Sequence, residues 1–316
     1  MEIIVTGSIA IDRIMSFKGR FKDLIQPDKI HVLSISILLD QLKDTPGGIA
    51  ANIAYSLALL GEQPVLLGSV GKDASGYLLQ LEKLGIKTDR IHYSELSTAS
   101  FTVMTDLDDC QVGGFYPGAM SDATSLGLAA VAPDSFIVIS PHDPSQMAIQ
   151  VAECAERQLR LFYDVGQQVT NIPGQDTRAG VSAAELLIVN DYELAVVAEK
   201  TGWTTDEIKN KVAVCIVTLG EKGCQIFQGA DDKIEVAAVK VSHIADPTGA
   251  GDAFRAGFLY GYVRQWPLVK AAKLGAVIAA YAIEHIGTQE HFFTQSEIIQ
   301  RYQAHFGKEL HAEDFK

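Results

Sequence analysis

Apolar runs of four or five residues recur along most of this chain, and a stretch with helical spacing separates each from the next. Ile3-Ile4-Val5-Thr6-Gly7, Pro64-Val65-Leu66-Leu67-Gly68 and Ser135-Phe136-Ile137-Val138-Ile139 read as buried strands, and residues 159–163, 186–189 and 214–218 continue the series. Helices are expected over 50–60, 75–84, 145–158, 192–200, 205–211 and 252–264. A strand that is apolar on both faces has to be covered on both. The alternation therefore predicts an α/β fold, with a mainly parallel sheet between helices. At 316 residues and 47% hydrophobic content, the chain can bury one large core, or one core with a small appendage.

Two stretches break the rhythm. Residues 13–46 contain Phe17-Lys18-Gly19-Arg20-Phe21 and an apolar run over 30–39, with little helical period. Residues 99–120 alternate as paired strands around Asp106-Leu107-Asp108-Asp109, a hairpin turn signal. Both are expected to form a small β-sheet outside the core, inserted into one domain spanning 1–316. Such insertions are usual places for active-site lids, although an ordinary surface excursion has the same pattern. The last nine residues, 308–316, read as a polar tail with a frayed end.

The most specific chemistry lies in Asp246-Pro247-Thr248-Gly249-Ala250-Gly251-Asp252, a glycine turn that opens a helix. A helix N-terminus presents unpaired N–H groups and about half a positive charge, and glycines let that backbone approach an anion. Asp252 is out of place in a mere phosphate cradle, since a carboxylate repels the ligand. It makes sense if it takes a proton from a hydroxyl that attacks the phosphate. Two other motifs are excluded. The dinucleotide fingerprint needs Gly or Ala where Phe254 stands, and it follows a strand early in a βαβ unit. A Walker A loop is absent, because Gly71-Lys72 is followed by Asp73 and has Leu66 where the first Gly should be.

Other segments offer partial sites, each with a plain structural alternative. Gly47-Gly48 opens a helix that carries Asn52, a donor and acceptor for a substrate hydroxyl. Asp12, after the first strand, is either an acceptor for substrate hydroxyls or an ordinary turn residue. Asn190 and Glu193 form a complete capping box, or stand near metal-bound water and phosphate oxygens. The loop with Thr218, Gly220 and Gly223 suits a nucleotide phosphate or ribose, or is simply a turn. Arg255 either reaches a phosphate oxygen or pairs with a core carboxylate.

Together these pieces resemble the ribokinase-like family, also called the PfkB carbohydrate kinases, along nearly the whole chain. Gly47-Gly48 with Asn52 matches the family's first signature, and residues 246–252 with Phe254 and Gly257 match the second, more specific one. Asn190 with Glu193 looks like its Asn-x-x-Glu magnesium and phosphate motif, and Thr218, Gly220 and Gly223 resemble its Thr-x-Gly-x-x-Gly nucleotide loop. The resemblance implies a three-layer α/β/α core with a small β-sheet lid, and transfer of the ATP γ-phosphoryl group to a primary hydroxyl. Asp252 then carries over as catalytic base, with Gly249, Ala250 and Gly251 as anion hole. Glu193, Asn190 (mostly through water) and Asp246 would surround Mg²⁺. Gly287 and Gln289 fall where such proteins have a loop beside the nucleotide and, in many members, a monovalent cation such as K⁺. Lid sheets in this family often pair between subunits, which implies a homodimer.

For the acceptor, Ser140-Pro141-His142-Asp143 departs from the segment that sugar-specific relatives often carry there, while Tyr163-Asp164-Val165-Gly166-Gln167-Gln168 resembles the nucleoside branch, as does Pro247. A nucleoside, adenosine first, is therefore expected over a free sugar such as ribose or fructose, with Phe101 and Phe115 of the lid covering it. His142 either touches substrate or has no special role. A nucleotide-binding sensor without turnover is the further alternative, and intact Asp252 counts against it. The net charge of −13 argues against nucleic acid or an anionic membrane as partner. Cys110, Cys154, Cys215 and Cys224 show no metal-ligand pair or disulfide framework, and the N-terminus lacks a basic leader, so a cytoplasmic protein is expected.

Overall fold

The structure, a computed structural model, describes residues 1–122 and 126–315. Among them, eight strands form one sheet in the order Lys233–Val236, Cys224–Phe227, Val214–Thr218, Leu186–Asn190, Arg160–Tyr163, Phe136–Ile139, Ile3–Thr6 and Val65–Leu67. The six from Val214–Thr218 onward are mutually parallel, and the first two add an antiparallel hairpin at one edge. Strand pleat sorts the apolar runs between two cores. Ile3 and Val5 pack with Phe136, Val138, Phe162, Leu186 and Ile188 under helices Ile49–Leu59, Ser75–Lys83, Ala250–Val263, Leu268–Ile283 and Gln295–Phe306. Ile4, Ile137, Leu161, Leu187 and Val189 face the opposite layer, Pro144–Arg157, Gly174–Ala183, Asp191–Thr201 and Thr205–Lys211. This is the three-layer arrangement that the alternation requires.

A second sheet of four strands has the order Gln41–Gly47, Ala10–Ser16, Ala99–Thr105 and Gln111–Tyr116. It starts three residues before the expected boundary and ends on Gly47. Asp12 is thus a sheet residue, paired with Thr45 on one side and Phe101 on the other, and not a turn residue of the core. The hairpin at 106–109 forms as its acidic residues suggest: Asp106 Oδ1 accepts the amides of Asp108 and Cys110, each at 2.9 Å.

Among the described residues, three long helices, the four-residue helix Phe21–Leu24, the edge hairpin and a two-stranded sheet of Ser69–Gly71 and His92–Ser94 were not anticipated. Leu268–Ile283 is apolar almost all round, so it presents no contrasting stripe. Gly174–Ala183 is rich in glycine and hydroxyl residues of low helix propensity. Gln295–Phe306 did carry a signal, the Thr294/Glu297 capping box.

The tail is not frayed over its described part. Leu310 is fully buried, Gln303 Nε2 donates to its carbonyl at 2.9 Å, and the Phe315 ring lies 5.6 Å from that of Tyr260. Its polar look comes from charges that are paired: Lys270 holds Asp314 at 2.6 Å and Lys273 holds Glu309 at 2.9 Å. Lys316 lies outside the described residues. Leu310→Ala should lower the unfolding free energy by about 2–4 kcal/mol in urea titrations, the usual range for emptying a core position. A wild-type midpoint would mean that the tail is detached.

Candidate active site

The parallel strands end on one side of the sheet, and the four-stranded sheet stands over that side. Between them lies a cavity of about 680 Å³, a size suited to a small ligand. Gly249, Gly251 and Asp252 line it from the start of helix Ala250–Val263, Glu193 from helix Asp191–Thr201, and Asp164 from the end of strand Arg160–Tyr163. Asp12, Phe101 and Phe115 enter from the small sheet, with Phe101 and Phe115 paired across adjacent strands.

Two helix starts meet here. Gly249 is the N-cap of Ala250–Val263, whose start borders the cavity; the Ala250 amide is taken by the Pro247 carbonyl at 3.3 Å, which leaves those of Gly251 and Asp252 for a ligand. Gly48 caps Ile49–Leu59 at φ 94°, and a Cβ there would lie 2.6 Å from the Ala10 amide nitrogen. Only glycine fits that crossing. The crossing places Asn52 against the other helix, where its Nδ2 donates to Asp252 Oδ2 at 2.8 Å.

Asp252 is one of several acids in this space. Burial raises its carboxyl above the usual range, while Arg255 and Asn52 pull it back. Arg255, one turn later, folds over Gly251, where a Cβ would sit 2.7 Å from its Nη1. Its Nη2 donates to Asp164 Oδ1 at 2.9 Å and lies 3.8 Å from Glu193 Oε2. Of the two roles the sequence leaves open for Arg255, the pairing with a core carboxylate is present. Asp164 is fully buried, and burial lifts its carboxyl to about 7 in spite of Arg255. Asp164 Oδ2 and Arg255 Nε have no protein partner, so a buried acceptor and a buried donor remain for a ligand or water beside the cradle. Asp12 is lifted to about 6, first by burial and then by Asp246 and Asp252.

A glycine-rich helix start, a buried carboxylate on its first turn and an overhanging sheet are features of phosphoryl-transfer sites, and known proteins agree. Residues 11–294 match the model of the pfkB family carbohydrate kinases. The chain belongs to that family. It is a phosphotransferase with an alcohol group as acceptor. The chain is 31% identical over 311 residues to a nucleoside kinase of Methanocaldococcus jannaschii, covering 96% of this chain and 97% of that protein. It is 28% identical to a nucleoside kinase of Methanothermobacter thermautotrophicus, covering 92% and 94%. The structure of Burkholderia thailandensis nucleoside kinase in complex with inosine superposes with a TM-score of 0.86 at 34% identity, covering 96% of this chain and 99% of that one.

Within this pfkB kinase, several anticipated residues fall outside the cavity lining. Gly47 ends its strand, and Ala250 begins its helix behind Gly249. Asn190 and Glu193 form the reciprocal capping box: Asn190 Oδ1 accepts at 2.7 Å and Glu193 Oε2 at 2.9 Å. Asp246 spends its oxygens on the amides of Thr248 and Gly287 at 2.9 and 3.1 Å. Among the described residues, no group of three or more His, Cys, Asp or Glu could hold a metal ion. Thr218, Gly220 and Gly223 shape an open turn at the next strand end, beyond the main cavity. His142 is buried, and its Nε2 lies 3.2 Å from Gln150 Oε1 away from the cavity.

The sequence reading named Gln167 and Gln168 only within the segment that resembles the nucleoside branch, and missed Asn171 and Met120 as cavity residues and Tyr77 behind it. The first three follow directly on strand Arg160–Tyr163, and their position at a strand's C-terminal end was the available signal.

Asp12 gives a pH test. Its carboxyl has an ordinary value of 3.8 and about 6 in the folded protein, so the folded state holds the proton more tightly. That contribution to stability is complete below about pH 4 and is lost as pH rises through about 6. Asp12→Asn should therefore be more stable than wild type by about 3 kcal/mol at about pH 8, and equal to it well below about pH 4, in urea unfolding. A gap that does not change with pH would show that the carboxylate is not strained by its neighbours.

Proposed function

We propose that this kinase transfers the γ-phosphoryl group of ATP to the 5′-hydroxyl of a nucleoside, with purine nucleosides preferred and adenosine first. The observation that carries this reading is near-complete coverage of nucleoside kinases at 28–34% identity, joined to an apolar wall made by Phe101, Phe115 and Met120. A nucleobase needs apolar surface. A free sugar would need a polar partner for every buried hydroxyl in the same space.

In this mechanism Asp12, Gly48 and Asn52 hold the ribose hydroxyls and present the 5′-oxygen to Asp252. Asn52 occupies Asp252 Oδ2, and Oδ1 takes the proton. The 5′-oxygen forms its bond to the γ-phosphorus as the bond to the β-phosphate oxygen breaks, and ADP leaves with the charge. The transition state of such transfers is loose, so positioning and charge neutralisation matter more than a strong base. Burial raises the proton affinity of Asp252, which strengthens it as a proton acceptor. The amides of Gly249, Gly251 and Asp252 would stabilise the oxygens of the transferred group, while that of Ala250 is held by the Pro247 carbonyl. The turn at Thr218, Gly220 and Gly223, with the Gly287 loop, would bind the rest of the nucleotide. Glu193, which faces the cavity, would hold Mg²⁺ through water, with Asn190 and Asp246 shaping the surroundings, and the ion would supply charge neutralisation on the phosphates. The loop at Gly287 would border a monovalent cation such as K⁺.

The small sheet acts as a lid that keeps water from the phosphoryl group. Leu42, Val112 and Tyr116, on the face of it opposite Phe101 and Phe115, are exposed, which supports pairing of two lids in a homodimer. Among the described residues no helix is long and apolar enough to cross a membrane, and the acidic charge supports neither membrane nor nucleic acid as partner. Four free cysteines fit a cytoplasmic location.

The test is a panel of acceptors with ATP and Mg²⁺ under identical conditions. Adenosine or another purine nucleoside should give a higher kcat/KM than ribose, fructose or any hexose. Efficient turnover of a free sugar with no nucleoside phosphorylation would leave a kinase but remove the nucleoside assignment.

A further inference from the structure

Gln289 lies outside the cavity lining, yet it is bonded toward the base. Its Nε2 donates to Asn52 Oδ1 at 2.9 Å and to the Tyr77 hydroxyl oxygen at 2.6 Å. Tyr77 donates in turn to the carbonyl of Gly47 at 2.9 Å. At the other end, Asn52 Nδ2 reaches Asp252 Oδ2.

The direction of every bond in this chain is fixed by its far end. A backbone carbonyl only accepts, so the one Tyr77 hydrogen goes to Gly47 and the phenol oxygen must accept. The Gln289 amide nitrogen has two hydrogens, and Tyr77 and Asn52 take both. Asn52 must then turn its oxygen toward Gln289 and its NH₂ toward Asp252. The flipped amide would set oxygen against carboxylate and NH₂ against NH₂, two repulsive pairs in a buried site. Tyr77 is a dependable anchor, since burial keeps its phenol protonated far above neutral pH. The neighbouring residues tie the same loop down: Thr288 Oγ1 donates to the Pro46 carbonyl at 3.1 Å, and the Gly287 amide to Asp246.

We infer that Gln289 and Tyr77 are positioning residues for phosphoryl transfer: they lock the Asn52 amide, which holds the Asp252 carboxylate, and so tie the base to the end of the lid strand at Gly47. The inference replaces the nucleotide-contact role expected for Gln289, whose amide hydrogens are already spent. It rests on Asp252 acting as the base.

The experiment is a double-mutant cycle on kcat and on KM for ATP and adenosine. Gln289→Met keeps the volume and removes the donor without adding charge. It should lower kcat by about 10- to 100-fold, the scale of a misplaced reacting group, while KM for ATP stays near wild type. In an Asn52→Ala background, Gln289→Met should have no further effect on kcat. Tyr77→Phe should act in the same sense, and it reads the same cycle should the methionine disturb folding. Independent, multiplicative losses would overturn the inference, as would a raised KM for ATP with kcat intact. An unchanged kcat in Asn52→Ala alone would also overturn the inference, an unchanged kcat in Asp252→Asn would overturn the base reading beneath it, and absent nucleoside turnover in wild type would instead count against the proposed acceptor.

Discussion

Arg255 is the one cation lining a cavity that also holds Asp12, Asp164, Glu193 and Asp252, among the described residues. The sheet and helices converge these acids on the N-terminus of helix Ala250–Val263, and without a buried positive charge the cluster would repel both itself and a phosphate. Arg255 neutralises Asp164 at 2.9 Å and reaches toward Glu193, which joins three elements that are distant in sequence. Its position one turn after Asp252, over Gly251, puts this compensation on the same helix as the anion cradle. Removing one member of such a pair typically costs about 3–5 kcal/mol because the other is left buried and uncompensated. The strain is retained because a carboxylate held partly out of water takes protons more readily.

The second support is hydrogen-bonded and directional. Gly48 brings one helix start close to the strand Ala10–Ser16, and that crossing lets Asn52 meet Asp252. Charge compensation therefore comes from one side of the base and orientation from the other. The small sheet is bound into both, through Asp12, which faces the acids, and through Pro46 and Gly47, which accept from Thr288 and Tyr77.

The layers of the core were legible because Ile3, Ile4 and Val5, and the runs like them, cannot be exposed on either face. The anion turn was legible because glycines and an acid at a helix start have few other uses. What could not be read were contacts between residues far apart in sequence. Nothing local in Arg255 indicates Asp164, 91 positions earlier, and nothing in Gln289 indicates Asn52, 237 positions earlier. Local reading also misplaced Asp12, because Ala10 and Ile11 continue the apolar look of the first strand while turning into another sheet. The tail misled for a different reason, since its charges are paired with Lys270 and Lys273 on a neighbouring helix and hide the buried Leu310 between them.

All of this turns on Asp252 as the group that receives the acceptor's proton. Single-turnover phosphoryl transfer from a preformed complex of enzyme, ATP, Mg²⁺ and adenosine isolates that step from binding and release. Asp252→Asn preserves the shape of the side chain and should slow the transfer by about 10²–10⁴-fold, with dissociation constants for ATP and adenosine near those of wild type. Transfer at the wild-type rate would contradict the assignment of the base and, with it, the role given to the residues arranged around it.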